Sequence, residues 1–176
     1  ERRTVTLKRI QLSQANAAQF LGGVTLAGLL LSLLQIVLTL AVAYLLGFVP
    51  VGNLLLAVGI GLVTSLAASG AGFIAAAFST SEGEATAYST GFMVPLVFLS
   101  GAVFPLPVVE WFRFYGQSIQ PYDILPATHA ARAMSQVILY GTEARGLVYE
   151  LSMLGLLSVG LLAGGIWLYH HKVLKA

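Results

Sequence analysis

The chain contains no cysteine, and only 9% of its residues are Asp, Glu, Lys or Arg. An average soluble domain devotes about a quarter of its residues to these charges, so this chain has too few to clothe a water-facing surface. That shortage excludes a soluble enzyme and a disordered tail. The missing cysteine excludes a disulfide-stapled secreted module. Nine basic residues against seven acidic ones leave a net charge of +2. So small a surplus cannot track a phosphate backbone, and nucleic acid is excluded as a partner. We expect no cleaved leader, because the polar opening runs into an apolar region longer than a secretory core and without a small-residue stop. The first residue is Glu1 rather than Met, and we expect a piece of a longer chain.

What the chain does have is apolar side chain, 57% of 176 residues, with a mean hydropathy of +0.87. The expected fold class is all-α, a polytopic helical membrane protein with a single transmembrane domain over 1–176. No charge falls between Arg9 and Glu82. About 20 apolar residues cross ~30 Å of hydrocarbon, so this run must hold two helices, at 20–46 and 54–78, parted by the turn containing Gly47, Pro50 and Gly52. A further uncharged run predicts a span at 87–103, and an apolar run with Glu150 near its start predicts one at 147–169, four in all. Basic residues near span ends favour the cytoplasmic side. Arg2, Arg3, Lys8, Arg9, Lys172 and Lys175 share one side in a four-span chain, against Arg113, Arg132 and Arg145 on the other. Both termini are therefore expected in the cytoplasm of a cell that carries the protein in its plasma membrane.

Ser81-Glu82-Gly83-Glu84 fits a capping box, with its carboxylates at the positive end of a helix dipole. The segment 104–150 is unusual: Pro105, Pro107, Pro121 and Pro126 alternate with Trp111, Phe112, Phe114, Tyr115 and Tyr122. A watery loop would not expose so many large apolar groups. Two short re-entrant helices over 104–141 are expected, with protein or water satisfying their broken ends. Pro126 suits a first turn, and Gly141 suits a helix end. Ala130, Met134, Val137 and Ile138 then share one face.

Small residues let helices approach closely in lipid. Gly61, Ser65, Ser69 and Gly70 mark such a seam, and Gly160 with Gly164 makes a GxxxG match. Ser65 and Ser69 are also candidates to line a pathway. Pro95 removes a backbone bond inside the third span, and Ser100-Gly101 offers a second soft point. These three are hinge candidates.

Apart from Glu150 at the start of the last, none of the four spans carries Asp, Glu, Lys or Arg, which argues against a proton-coupled carrier or a voltage sensor. No phosphate-binding G-x-x-x-x-G-K-[ST] loop occurs either, so energy for active transport would have to come from another subunit. Ser100, Asp123 and His129 could be imagined as a nucleophile, orienter and base, but no local signature joins them. His170 and His171 are adjacent rather than four apart, which suits an interface position better than a shared metal. Three readings are open at this point: a subunit of a powered exporter, a non-catalytic scaffold or passive pore, and an intramembrane enzyme using Ser100 or His129.

Three ordered segments resemble one family. Gly91-Phe92-Met93-Val94-Pro95-Leu96-Val97-Phe98-Leu99-Ser100-Gly101-Ala102-Val103-Phe104-Pro105 is similar to the Pro…Phe-Leu-Ser-Gly…Phe-Pro signature of ABC-2 type transporter permeases. Leu125-Pro126-Ala127-Thr128-His129-Ala130-Ala131-Arg132 resembles their Leu-Pro-x-Thr/Ser-His segment, and the opening Glu1-Arg2-Arg3-Thr4-Val5-Thr6-Leu7 resembles their cytoplasmic Glu-Arg-x-x-Gly-Thr-Leu. Val5 replaces the usual Gly, Ser13-Gln14 the usual Ser-Pro, and Gly22-Gly23 a Gly-Lys.

The resemblance implies the last four of six spans in a half-transporter. Residues 1–17 would form a cytoplasmic coupling segment, with Arg2, Arg3, Thr4, Leu7, Lys8, Arg9 and Ile10 touching an ABC ATP-binding subunit. The chain would bind no cofactor or metal and have no catalytic residue; ATP and Mg would sit on the partner ATPase. A second permease half, identical or not, would complete the pathway within membrane lipid. Pro105, Pro126, His129 and Arg132 would belong to the external re-entrant segment. The cargo would be amphipathic or lipid-like, moved by alternating access.

Overall fold

The computed structural model describes residues 17–107, 109, 111–114 and 117–174. The coupling segment, with Arg2, Arg3, Thr4, Leu7, Lys8, Arg9 and Ile10, lies outside them. The elements in order are α1 (Ala17–Leu45), α2 (Leu54–Phe78), α3 (Glu82–Leu99), β1 (Phe112–Phe114), β2 (Gln117–Ile119), α4 (Pro126–Tyr140) and α5 (Val148–Tyr169). Short 3-10 turns, Pro121–Ile124 and Ala144–Leu147, lead into α4 and α5, and a π-helical segment, His170–Leu174, extends α5.

Among the described residues three helical stretches are long and apolar enough to cross a membrane: Gln19–Leu45, Leu54–Phe78 and Ala144–Lys172. The fourth, α3, is different. It starts at Glu82, spends its first turns on Glu82, Glu84, Thr86 and Ser89, and stops at Leu99. The helix expected at 87–103 thus begins earlier and ends sooner. Gly101 takes a left-handed conformation (φ 78°), which an L side chain resists and which turns the chain out of the helix.

The expected pair of short helices over 104–141 needs a larger correction. Among the described residues only α4 is an α-helix there; the part before it holds a hairpin and the Pro121–Ile124 turn. β1 and β2 pair antiparallel, with Phe112 opposite Ile119 and Phe114 opposite Gln117. Pro105 and Pro107 lack amide protons and push their predecessors toward extended backbone. Aromatic residues at 112 and 114 then favour a strand.

A small core forms where α2, α4 and α5 meet: Ala57, Ile60, Ala130, Ala133, Val137, Leu147 and Leu154 are buried together. The α1–α2 turn is tied to the same place. Val51 N–H donates to the Ile138 carbonyl at 3.0 Å, and a Cβ on Gly52 would lie 2.1 Å from the Val137 oxygen. Asn53 caps α2 by accepting from the Leu55 amide at 2.9 Å. By contrast α1 buries only Leu21 among its described side chains, and α3 buries none.

Lower down, α2 and α5 touch backbone to backbone. A Cβ on Gly70 would sit 2.5 Å from the Leu161 carbonyl, and one on Gly165 would sit 2.4 Å from the Gly70 oxygen. Gly160 and Gly164 face open space. The crossing therefore uses Gly165 and not the GxxxG pair. Gly61 belongs to another seam, against Ile36 of α1, and Ser69 faces Gly28 of α1.

Two predictions follow from these contacts. Gly70→Leu forces α2 and α5 apart and should cost roughly 1–3 kcal/mol, as overpacking generally does, read as a lower thermal midpoint; Gly160→Leu should leave it unchanged. At the start of α3, the Glu84 carboxylate accepts from both the Thr80 amide (2.7 Å) and the Thr80 hydroxyl (2.8 Å). These bonds, the amide first, hold its pKa below the usual carboxylate value. A depressed carboxylate contributes stability above its unfolded pKa and loses it as pH falls through the folded value. The exchange of amides in the first turn of α3 relative to α2 amides in the same sample should accordingly rise on acidification below about pH 4, and Glu84→Gln should remove that dependence.

Candidate functional site

Helix α4 organises the polar end of the molecule. Leu125 is extended (φ -98°, ψ 124°) because a proline follows, Pro126 opens the helix, and Gly141 closes it with φ 68°. Its inner face presents Thr128, His129, Ala130, Ala133 and Val137, all buried. The small residues on that face let α4 lie close on α2 and α5, and this brings His129 and Arg132 onto the turn before the helix and the first turn of α5.

His129 is fully buried. Its Nε2 lies 2.9 Å from the main-chain oxygen of Asp123, and its Nδ1 is bonded to the Glu150 carboxylate. Its ring stands at 74° to that of Tyr149, with centroids 5.8 Å apart. Arg132 donates from Nη1 to Asp123 Oδ1 at 2.6 Å and from Nη2 to Gln120 Oε1 at 3.2 Å. Glu150 Oε1 stands 3.8 Å from the same guanidinium. The other Asp123 oxygen accepts the Gln120 amide at 2.8 Å. Asp123 is only 4% exposed, so this full complement of partners is what makes its burial tolerable.

Two open cavities meet beside α4. One, about 390 Å³, is lined by Ser100, Gly101, Leu106, Gln120, Ala131, Arg132, Ser135 and Gln136. The other, about 400 Å³, is a groove beneath α4 walled by α1 and α2, with Ser32, Gln35, Ile36, Gly61, Thr64, Ser65, Ala68, Ala130 and Met134. Ser100 and Ala131 line both. The groove is apolar with hydroxyl and amide groups set into it. Thr64 and Ser65 donate to carbonyls of their own helix at 2.8 Å, leaving their oxygens able to accept. The side chains of Ser32 and Gln35 have no hydrogen-bond partner among the described residues.

The sequence-selected residues therefore divide. Ser65 and Ser100 come together at the groove, and Gly101 and Arg132 line the adjoining cavity. Ser69 turns away into an apolar crevice with Phe20, Val24, Gly28, Phe73 and Tyr169. Pro95 sits exposed on α3, and Pro105 is exposed beyond the end of that helix. The imagined triad does not assemble: Ser100 Oγ donates to the Val97 carbonyl at 2.7 Å, and both His129 nitrogens are occupied elsewhere. Among the described residues no group of three or more His, Cys, Asp or Glu could hold a metal ion. Sequence reasoning missed Glu150 and Gln120 as partners, and Ser32, Gln35 and Thr64 as groove residues. A signal for Glu150 did exist. In a chain so poor in charge, a carboxylate at the head of an apolar helix needs a partner, and a His and an Arg lie shortly before it.

A model of the ABC-2 type transporter family matches residues 1–139. The chain belongs to the ABC-2 type transporter family. No curated protein and no solved structure matches it. As an ABC-2 chain with apolar helices of spanning length, it is a multi-pass membrane protein and the membrane component of a transporter, not itself catalytic. Permeases of this family work with an ABC ATP-binding subunit and dimerise. The matched stretch includes Asp123, His129 and Arg132; Glu150 lies beyond it.

The ion pair sets a measurable expectation. Arg132→Leu leaves the carboxylate of Asp123 buried with half its partners. Breaking a buried pair costs roughly 3–5 kcal/mol, and solvent reaching the partly exposed guanidinium brings this toward about 2–3 kcal/mol. Thermal unfolding of Arg132→Leu should show that loss, and adding Asp123→Asn should recover part of it.

Proposed function

We propose that this chain is the membrane-spanning subunit of an ATP-driven exporter that moves an amphipathic or lipid-like substrate by alternating access. The observation that carries the reading is the groove beneath α4. It is apolar, dotted with hydroxyl and amide groups, free of ionised side chains, and continuous at Ser100 with the more polar cavity beside Arg132. Such a surface suits a molecule with a hydrocarbon part and a hydrogen-bonding part; an inorganic ion would find no charge to replace its hydration.

In this reading α3 is a fourth, short span, and both termini are cytoplasmic. The hairpin and α4 then cap the external end, where α4 roofs the groove. A second half, the same chain or another, faces α1 and α3 and closes the pathway. Residues 4–14 dock on the ATP-binding subunit, which holds ATP and Mg; Arg2, Arg3, Lys8 and Arg9 supply charge, and Leu7 and Ile10 supply apolar contact. Pro95 and the Ser100-Gly101 corner are where α3 would bend as the cavity changes sides, since the proline omits one helix bond and the glycine already occupies a turn conformation.

The test uses vesicles containing the full-length permease with its ATPase. Reversing charge at Arg2, Arg3, Lys8 and Arg9 together should leave ATP hydrolysis at the ATPase's own rate while transport falls to background. Transport that stays coupled to hydrolysis refutes the docking role. Transport that proceeds equally without ATP would favour a passive pore instead.

A further inference from the structure

Helix α4 has two faces. Ala130, Ala133 and Val137 pack into the core, whereas Ala131, Arg132, Ser135 and Gln136 line the cavity of about 390 Å³ together with Ser100 and Gln120. The helical period alone keeps the two sets apart. The polar groups of the cavity differ in what they have left to offer. Ser100 Oγ donates to the Val97 carbonyl at 2.7 Å and accepts the Ala102 amide at 3.2 Å. Gln120 has its side-chain oxygen on Arg132. Ser135 and Gln136 are half-buried, and neither side chain has a hydrogen-bond partner among the described residues. A hydroxyl on a helix can satisfy itself on a carbonyl of the preceding turn, as Thr64, Ser65 and Ser69 do. Ser135 does not. Ser135 and Gln136 thus hold out a hydroxyl and a planar amide, each able to donate and to accept.

Charge at this cavity is already matched. The Arg132 side chain is 31% exposed and is the cation an entering molecule meets. Asp123 Oδ1 holds its Nη1 at 2.6 Å, and Glu150 Oε1 stands 3.8 Å away. Those two carboxyl groups are 4% and 13% exposed, and no acidic side chain lines the cavity among the described residues. An anionic group would have to displace Asp123 or settle beside a cation that is already paired. A cationic group would meet the guanidinium with no carboxylate in front of it. An uncharged group pays neither penalty, so the cavity discriminates by what it repels as well as by what it bonds.

We propose that Ser135 and Gln136 form a head-group subsite for an amphiphile whose head is uncharged and bears several hydroxyls, its hydrocarbon part lying in the groove beneath α4. The cavity and the groove share Ser100 and Ala131, so one molecule can occupy both. The amide of Gln136 can donate to one hydroxyl and accept from its neighbour, and Ser135 adds a further bond beside it. A head with no hydroxyls would leave these groups unpaired once it had excluded water, which is how a site built for hydrogen bonds rejects analogues that lack them. The assignment rests on the groove being the path of the exporter proposed above, and it names the class of molecule that path admits. Binding itself needs no ATP and can be read separately from transport.

The full-length permease with its ATPase, in lipid nanodiscs without nucleotide, is titrated with three radiolabelled amphiphiles of one chain length: dodecyl glucoside, dodecyl phosphate and dodecyltrimethylammonium. Uptake by empty nanodiscs is subtracted, so that only saturable binding counts. The glucoside should bind saturably, and both charged amphiphiles should bind about tenfold more weakly or less. Gln136→Leu should weaken the glucoside about tenfold and Ser135→Ala about threefold, the loss of one or two hydrogen bonds. Thermal midpoints of the same samples should stay at the wild-type value, because neither side chain has a partner within the fold to lose. Equal or tighter binding of either charged amphiphile overturns the proposal, and so does glucoside binding that neither substitution weakens. The wild-type comparison of the three heads needs no variant to fold. Glucoside binding as expected in a protein whose ATP turnover drives no transport would sink the exporter reading alone, whereas ATP-driven transport without glucoside binding would sink this assignment alone.

Discussion

The pairing of Arg132 with Asp123 and of His129 with Glu150 draws together a turn, a short helix and the head of the last long helix. These are elements that hydrocarbon alone would leave unordered with respect to one another. In lipid, apolar helices gain little by meeting, because tails solvate leucine as well as another helix does. A buried charge has no such indifference: it must find its partner or be expelled. The few charges of this chain thus act as fixed points out of proportion to their number. With α4 pinned over the ends of α2 and α5, Ala57 and Ile60 gain a surface to pack on, and the α1–α2 turn gains the Ile138 carbonyl that Val51 needs.

Away from that end the bundle relies on fit. Gly70 and Gly165 bring α2 and α5 to backbone contact, where many small dispersion terms add up without loss of side-chain entropy. The hydroxyl-bearing residues of the long helices mostly satisfy themselves. Thr25, Thr39, Thr64 and Ser69 each donate to the carbonyl four residues back, so they line surfaces without demanding partners there. A groove built from such groups can receive a ligand's donors at little cost when empty.

The membrane class and the two long charge-free spans at the start were legible because composition and hydropathy act over tens of residues. The glycine at the end of α4 and the serine at the head of α3 were legible because cap chemistry is local. What escaped was settled by contacts remote in sequence. Nothing in the run Gly160 to Gly165 says which glycine faces α2, since rotating a uniformly apolar helix changes no local energy; only the partner's Gly70 decides. Likewise His129 and Glu150 lie 21 residues apart and have no periodic relation. The hairpin was missed for another reason: proline and aromatic residues were read as signs of an interfacial helix, when the same residues also satisfy a short strand pair.

The groove and the charged network are neighbours for a physical reason. A surface meant to hold something amphipathic in a membrane cannot itself carry unpaired charge, yet a lid over it must be held by more than grease if it is to close in one place. Ala130 and Ala131 show how the chain reconciles these needs. They lie between His129 and Arg132 on α4 and present only methyl groups to the groove, while His129 is bonded to Glu150 and Arg132 to Asp123. Helical geometry separates successive side chains by about 100°, so four consecutive residues can serve lid and anchor at once. A larger side chain at Ala131 would fill the groove, whereas one at Ala130 would also press on the core beneath α4; replacing His129 or Arg132 would loosen the anchor without filling the groove. The two functions are therefore separable at the level of single residues within one turn of helix.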